Sequence, residues 1–441
     1  MTTVQVLKAV LVMQLTAFVS AHRFHHQSIF DIIEMKGQQN WTHEQMPFVP
    51  EDSNSLSVIY DVEHYNYLRI FARLKIGDET YDLSPSTSIP DTFLQGENCL
   101  GCGRFSKGFN TGIGYDDKVE DSIPFGKLEL FGQASLRSLE FRNQDNKNVT
   151  MDQFRFFTVQ RGKGLEGLLG DGLLGLGMTS RKGAYSIIDQ LMEKDLISKR
   201  QFSLFISDPF SSKQSQLVIG NLNSEVFKNS SDIMWVSVKE QAKDWTIAAD
   251  SFAFDNDNIL AVDVEITTDI AGLILNIEIF DLFVNYLLSR GIYCRYENRL
   301  LNCYAMGIFY GFRLPEIILH VQGQELHIPS ELLLLDAQDE KPGQIMRLSV
   351  SQEDISGAVV GLALLRRYAT VFDLENRKIG FYDNGYKTLK LMRELKFQLN
   401  LYNLMFAVMF GIIIAHFMIM GIKAIHVGAA NFNFFEVNYF N

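Results

Sequence analysis

Basic charge and cysteine are both scarce in this chain. Forty Lys and Arg against 52 Asp and Glu leave the 441 residues with a net charge of -12. Within the stretch expected to form the lobes no Lys/Arg cluster reverses the deficit, which argues against nucleic acid as a partner, because phosphate binding needs a basic patch. The four cysteines fall into two local sets, Cys99 with Cys102 and Cys294 with Cys303, and the simplest pairing is a disulfide within each. A single C-x-x-C argues against a zinc site, and no metal or cofactor is expected.

What is present is a chain too long for one core. Two lobes with appendages are the default at this length, and a hydrophobic fraction of 47% supplies a sizeable interior. Residues 1–21 have the form of a secretory signal: Lys8, an apolar run from Ala9 to Val19, and Val19-Ser20-Ala21 as a small-residue cleavage site. Entry into the secretory pathway favours disulfides. Three sequons, at Asn40, Asn148 and Asn229, fit a lumenal or extracellular surface and are expected glycosylation sites.

Residues 22–60 show no periodicity and read as a loose N-terminal segment holding His22, His25, His26 and His43. From Asn66 onward, short alternating runs separated by Gly, Asn and Asp predict an all-β organisation, with an N-terminal lobe over 61–225 and a C-terminal lobe over 226–385. Leu68 to Gly77 alternates as a strand and turns at Gly77-Asp78. Asp171-Gly172-Leu173-Leu174-Gly175-Leu176-Gly177 predicts a buried strand crossed closely by another backbone. Ser186 to Met192 has helical spacing with Ser186 as N-cap, and Gln201 to Ile206 reads as a strand.

Beyond a basic juxtamembrane stretch at 386–400, residues 401–422 carry no Asp, Glu, Lys or Arg. At about 1.5 Å per residue that run spans the ~30 Å of bilayer hydrocarbon, and it is read as a transmembrane helix tolerating His416. Residues 423–441 follow as a cytosolic tail. The Lys387–Lys396 charges favour the opposite orientation, but long domains translocate largely regardless of local charge, so the reading is a single-pass type I protein with a lumenal or extracellular ectodomain.

The hairpin Tyr81-Asp82-Leu83-Ser84-Pro85-Ser86-Thr87-Ser88-Ile89-Pro90-Asp91-Thr92-Phe93 resembles the first catalytic hairpin of the pepsin-like aspartic proteases, which reads Asp-Thr-Gly-Ser-Ser before Asp-x-Trp. The glycine-punctuated strand at 171–177, Leu217-Val218-Ile219-Gly220, Asp244-Trp245-Thr246-Ile247, Leu314-Pro315-Glu316-Ile317 and Leu326-His327-Ile328-Pro329 follow in the family's order. Val360 to Tyr368 with Thr370-Val371-Phe372-Asp373 and Ile379-Gly380-Phe381 is the most specific match. The resemblance covers roughly Tyr67 to Tyr382 and implies a mainly β, bilobal pepsin-like fold with a cleft between the lobes. An internal echo agrees: Ser86 precedes the Asp171 strand as the region near Thr268 precedes Gly361.

The family's chemistry needs one carboxylate from each lobe, about 3 Å apart and sharing one proton. Ser86 stands at the first of these positions. In the second lobe, aligning the apolar flanks of Glu265 to Ile274 puts Thr268 at the aspartate position, and a shift by one residue puts Asp269 there. Either way at most one carboxylate remains. Thr87, Ser88 and Asp269 are expected to line the cleft. The family's flap tyrosine falls near Val119, with Tyr115 available only through an insertion, and the N-terminal segment offers only Arg23 and Lys36 as a basic pro-segment. Three readings follow: a non-catalytic member binding a peptide or protein in the cleft or on its surface, an acid endopeptidase pairing Asp269 with Asp82 or Asp91, or a structural or adhesive ectodomain.

Overall fold

The computed structural model describes residues 58–383, apart from 66–68, 104–105, 111–120, 126–127, 144–146, 164, 166–167, 179–184, 208–213, 223–225, 256, 306–313 and 336–345, together with 409, 410, 412, 416, 419 and 420. The chain divides into two units, Met1–Phe48 and Val49–Asn441, and every described residue belongs to the second. The first half of this unit contributes β1 (Val58–Tyr65), β2 (Arg69–Ile76), β3 (Glu79–Ser86), β4 (Phe93–Leu100), β5 (Asp121–Phe125), β6 (Leu128–Asn143), β7 (Asn148–Lys163), β8 (Gly172–Gly175), β9 (Gln201–Phe205) and β10 (Ser215–Ile219). The second half contributes β11 (Met234–Ser237), β12 (Thr246–Phe254), β13 (Asp257–Ile266), β14 (Leu273–Leu275), β15 (Ile292–Glu297), β16 (Leu300–Ala305), β17 (Ile317–Val321) and β18 (Gln324–Ile328). It continues with β19 (Leu334–Leu335), β20 (Met346–Leu348), β21 (Val350–Gln352), β22 (Ala358–Val360), β23 (Tyr368–Asp373) and β24 (Lys378–Asp383).

Alternation sets the strands. In β2, Ile70, Ala72, Leu74 and Ile76 are buried while the residues between them are half-buried or exposed, the period-two pattern of a half-buried strand. Helices are few. Ile187–Glu193 starts where Ser186 Oγ accepts from Asp189 N at 3.2 Å, the expected cap. A longer helix, Ile277–Ser289, is capped by Asn276, whose side chain accepts from Ile279 N at 2.8 Å, and it buries Ile279, Phe280, Phe283 and Leu287.

The two halves repeat one plan. β8 lies between β3, to which it is parallel, and β4, to which it is antiparallel. In the same way β22 lies between parallel β13 and antiparallel β14. Each half therefore ends its central strand beside a glycine. Gly175 has no room for a side chain, because a Cβ there would meet the backbone of Pro90 and Asp91, and one at Gly361 would meet the Ile270 carbonyl. This is the close backbone crossing that the glycine-punctuated run predicts.

The halves are also joined. The large sheet runs β11-β24-β23-β9-β10-β1 before reaching β2 and β3, so the last strands of the chain hydrogen-bond to β9 of the first half. Phe202 of β9 stacks on Phe372 of β23 at a centroid distance of 4.7 Å, and buried Trp245 meets Phe372 edge-on at 4.9 Å. One apolar core accordingly takes residues from both halves. A smaller cluster, with Ile89, Phe93, Phe157, Leu173 and Tyr185, packs under the Ser86 loop, and Cys99 and Cys102 lie against it.

Disulfides join Cys99 to Cys102 and Cys294 to Cys303. Asn148 and Asn229 are exposed, whereas Asn40, the signal region 1–21 and most of 22–60 lie outside the described residues, as do Val119 and Tyr115. Within 401–422 the described residues are helical, and Phe410, Ile412 and Ile419 are exposed. Among the described residues no helix is long and apolar enough to cross a membrane, and the remainder of that expected span, with the whole 386–400 stretch and the 423–441 tail, is not among them.

Because β23 serves both halves, Phe372→Ala should destabilise the whole body by about 3–5 kcal/mol. Urea denaturation should show one shifted transition rather than the selective loss of one half.

Candidate functional site

β3 ends at Ser86, and the next residues are held on the crossing strand. Leu176 N donates to Ser86 O at 2.8 Å, Gly177 N to Ile89 O at 2.6 Å and Gly175 N to Thr92 Oγ1 at 3.1 Å. Asp91 is buried and accepts from Tyr185 N at 2.6 Å, which fixes the loop's far end. In the second half Thr267 N donates to Val360 O at 2.9 Å and Leu362 N to Ile270 O at 2.9 Å. Two loops are thus fastened by equivalent bonds and brought face to face.

Their contact is reciprocal. Thr87 N donates to Thr268 Oγ1 at 3.1 Å, and Thr268 N donates to Thr87 Oγ1 at 3.1 Å. Thr268 Oγ1 also donates to Pro85 O at 2.6 Å. This symmetry makes Thr87 the counterpart of Thr268, Ser86 of Thr267 and Ser88 of Asp269. The sequence alignment placed Thr268 or Asp269 opposite Ser86, and the structure corrects this: Thr267 stands there. Thr268, fully buried, is committed to the bridge. Thr87, expected on the cleft wall, is likewise buried within the junction, while Ser88 and Asp269 are half-buried at its edge.

Around that bridge the polar groups converge. Ser86 Oγ and Thr267 Oγ1 each donate to Asp269 Oδ2 at 3.0 Å, and Asp269 N donates to Thr267 Oγ1 at 3.1 Å. Ser88 Oγ lies 3.0 Å from Thr267 Oγ1 and donates to Glu265 Oε1 at 3.2 Å. Arg69, at the start of β2, donates from Nη1 to the Asp269 carbonyl oxygen; burial lowers its pKa and the charge of Asp269 opposes that. The two facing hydroxyls therefore share one carboxylate where a dyad would have two. Asp82, proposed from sequence as a second carboxylate, is paired with Arg73 Nε at 3.0 Å, and Asp91 is occupied by the Tyr185 amide.

Glu265, Thr267 and Arg69 were not singled out from the sequence. The signal was an alternation of polar residues, Ser84-x-Ser86-x-Ser88 against Glu265-x-Thr267-x-Asp269, which puts one row from each half on the same face. Glu265 is pushed up to about 7, mainly by burial, then by the charge of Asp244 and, more weakly, that of Asp269, with the Ser88 hydrogen bond opposing. Proton counting supplies a further reason. When Glu265 is ionised, Ser88 donates to it and Thr267 donates to Asp269, so neither hydroxyl has a proton for the other. A neutral Glu265 can donate to Ser88 and release that proton to Thr267.

The geometry and the sequence comparisons agree on the class. The model of the eukaryotic aspartyl protease family matches residues 122–383, more than half of the chain, and the chain belongs to that family. It is 24% identical to pepsin II-2/3 of Oryctolagus cuniculus over 221 residues, 48% of this chain and about half, 53%, of that relative. Identity to pepsin A of Bos taurus is 22% over 333 residues, 71% of this chain and 84% of the relative. With gastricsin of Oryctolagus cuniculus it is 21% over 354 residues, 77% and 88% respectively. The matched family span starts after the Ser86 hairpin.

Thr268→Val keeps the shape and deletes the hydroxyl. It should cost about 1–3 kcal/mol for each orphaned partner, Thr87 N and Pro85 O, in equilibrium denaturation. For Glu265 the folded value of about 7 lies above the ordinary 4.5. Its contribution to stability is then full below pH 4.5 and is lost as pH rises towards about 7, by ~3 kcal/mol at most. Glu265→Gln should flatten that part of the stability profile.

Proposed function

We propose that this chain is a non-catalytic aspartic-protease-like protein of the secretory pathway, anchored through residues 401–422, that binds a peptide or protein in the cleft between its lobes. The observation that carries the reading is the pairing of Ser86 with Thr267 at the junction, where both hydroxyls donate to the single carboxylate of Asp269. Neither hydroxyl ionises near acidic pH, so the pair cannot divide the labour of activating water and protonating a carbonyl. Among the described residues, the Thr87–Thr268 bridge, the crossing glycines and the shared sheet support a scaffold able to present a ligand. The apolar run at 401–422 supports the anchor, and the 1–21 signal, the sequons at Asn40, Asn148 and Asn229 and the two disulfides support a lumenal or extracellular ectodomain.

The full-length protein, incubated with a denatured protein substrate from about pH 3 to about pH 6, should produce no fragments above the buffer control, and Asp269→Asn should leave that result unchanged. Cleavage that is abolished by a transition-state peptide mimic would overturn the reading. Alkaline carbonate washing should leave the protein with the membrane pellet.

A further inference from the structure

We infer that Glu265 and Asp269 together form a recognition site for a basic side chain, Lys or Arg, of the bound peptide, an inference that rests on the peptide-binding reading above. Two carboxylates reach the same hydroxyl chain from one strand end, Glu265 through Ser88 and Asp269 through Thr267. Both residues are half-buried rather than sealed, so a ligand can approach them.

A separate observation points to a missing partner. Ser84 is 1% exposed, and its Oγ has no hydrogen-bond partner among the described residues. It lies two residues before Ser86 on β3, and alternation turns it to the face on which Ser86 meets Asp269. A buried hydroxyl left without a partner is uncommon. An ammonium or guanidinium group has several donors and no acceptor, which complements a hydroxyl oxygen and two carboxylates carried on one face.

The charged groups around Glu265 are known from each side. Asp244, beside the start of β12, and Asp269, just beyond β13, both oppose its ionisation. Arg69 from β2 is placed on the Asp269 carbonyl oxygen. Opposite Glu265 on the flanking strands stand the uncharged Thr246 and Val359. Above about pH 7 the site therefore holds two carboxylates and attracts a cation. As pH falls below that value Glu265 takes up a proton, completes the hydroxyl chain through Ser88, and the attraction weakens.

The test is fluorescence anisotropy of the full-length chain in detergent with four pools of labelled decapeptides, random except for a central Lys, Arg, Gln or Glu. At about pH 8 the Lys and Arg pools should bind roughly tenfold more tightly than the Gln pool, and at about pH 5.5 the preference should shrink to about threefold or less. Glu265→Gln should remove the pH dependence and most of the preference for the basic pools over the Gln pool. Ser84→Ala should narrow the preference for the basic pools over the Gln pool. Equal binding of all pools, or a basic preference that is the same at both pH values in the unmodified chain, would overturn the inference and leave peptide binding standing. Failure of every pool to bind at either pH would overturn the peptide-binding reading itself. The comparison of pH values needs no variant, so it holds even if Glu265→Gln does not fold.

Discussion

Everything at the centre of this molecule depends on two threonines that hold each other's backbone. Thr87 and Thr268 exchange amide-to-hydroxyl bonds across the junction of the two halves, and both are buried, so neither bond competes with water. A buried amide without its acceptor carries the full desolvation penalty, which makes the pair self-enforcing: a shift in either loop orphans groups in both. The bridge determines which residues meet. It sets Ser86 opposite Thr267 and turns Ser88 and Asp269 to the edge, and the rest of the polar cluster follows from that placement.

The two loops carry hydroxyls at the centre of their junction and carboxylates at its edge. The crossing glycines, the loop fastenings at Ile89 and Ile270 and the aromatic contact of Phe202, Trp245 and Phe372 hold two loops in the geometry of an aspartyl protease. The groups displayed on that geometry are hydroxyls, with acidity displaced to Asp269 and Glu265. Asp269 stands two residues beyond Thr267, half-buried beside the junction. Asp269 now accepts from both hydroxyls, and Glu265, deeper in the strand, is raised toward neutrality by burial and acidic neighbours. The cluster is better suited to holding a charge than to sharing a proton.

Much of this was legible in the sequence because it is written in local periodicity. The β2 alternation, the Ser186 cap and the glycine-spaced β8 each follow from neighbouring residues, and the cysteine pairs from their proximity. The Ile277–Ser289 helix was missed although Asn276 is a good cap, because apolar residues on both its faces blur the helical stripe. The register of the second site loop was missed for another reason. Thr267 and Thr268 are chemically alike and adjacent, and only a contact with Thr87, remote in sequence, distinguishes them. Glu265 was passed over because its character comes from burial and from Asp244 rather than from any motif.

The shared sheet has a consequence for the order of events during synthesis. Gln201 of β9 pairs with Asp373 of β23, so the edge of β9 stays open until almost all of the second half has left the ribosome. At about 5–20 residues per second that interval lasts on the order of ten seconds or more. During it the ring of Phe202 lacks its partner and the unpaired strand is a template for other chains. The nascent protein is therefore most vulnerable when it is nearly complete, and a chaperone or glycan acting on the first half would have its greatest effect in that window.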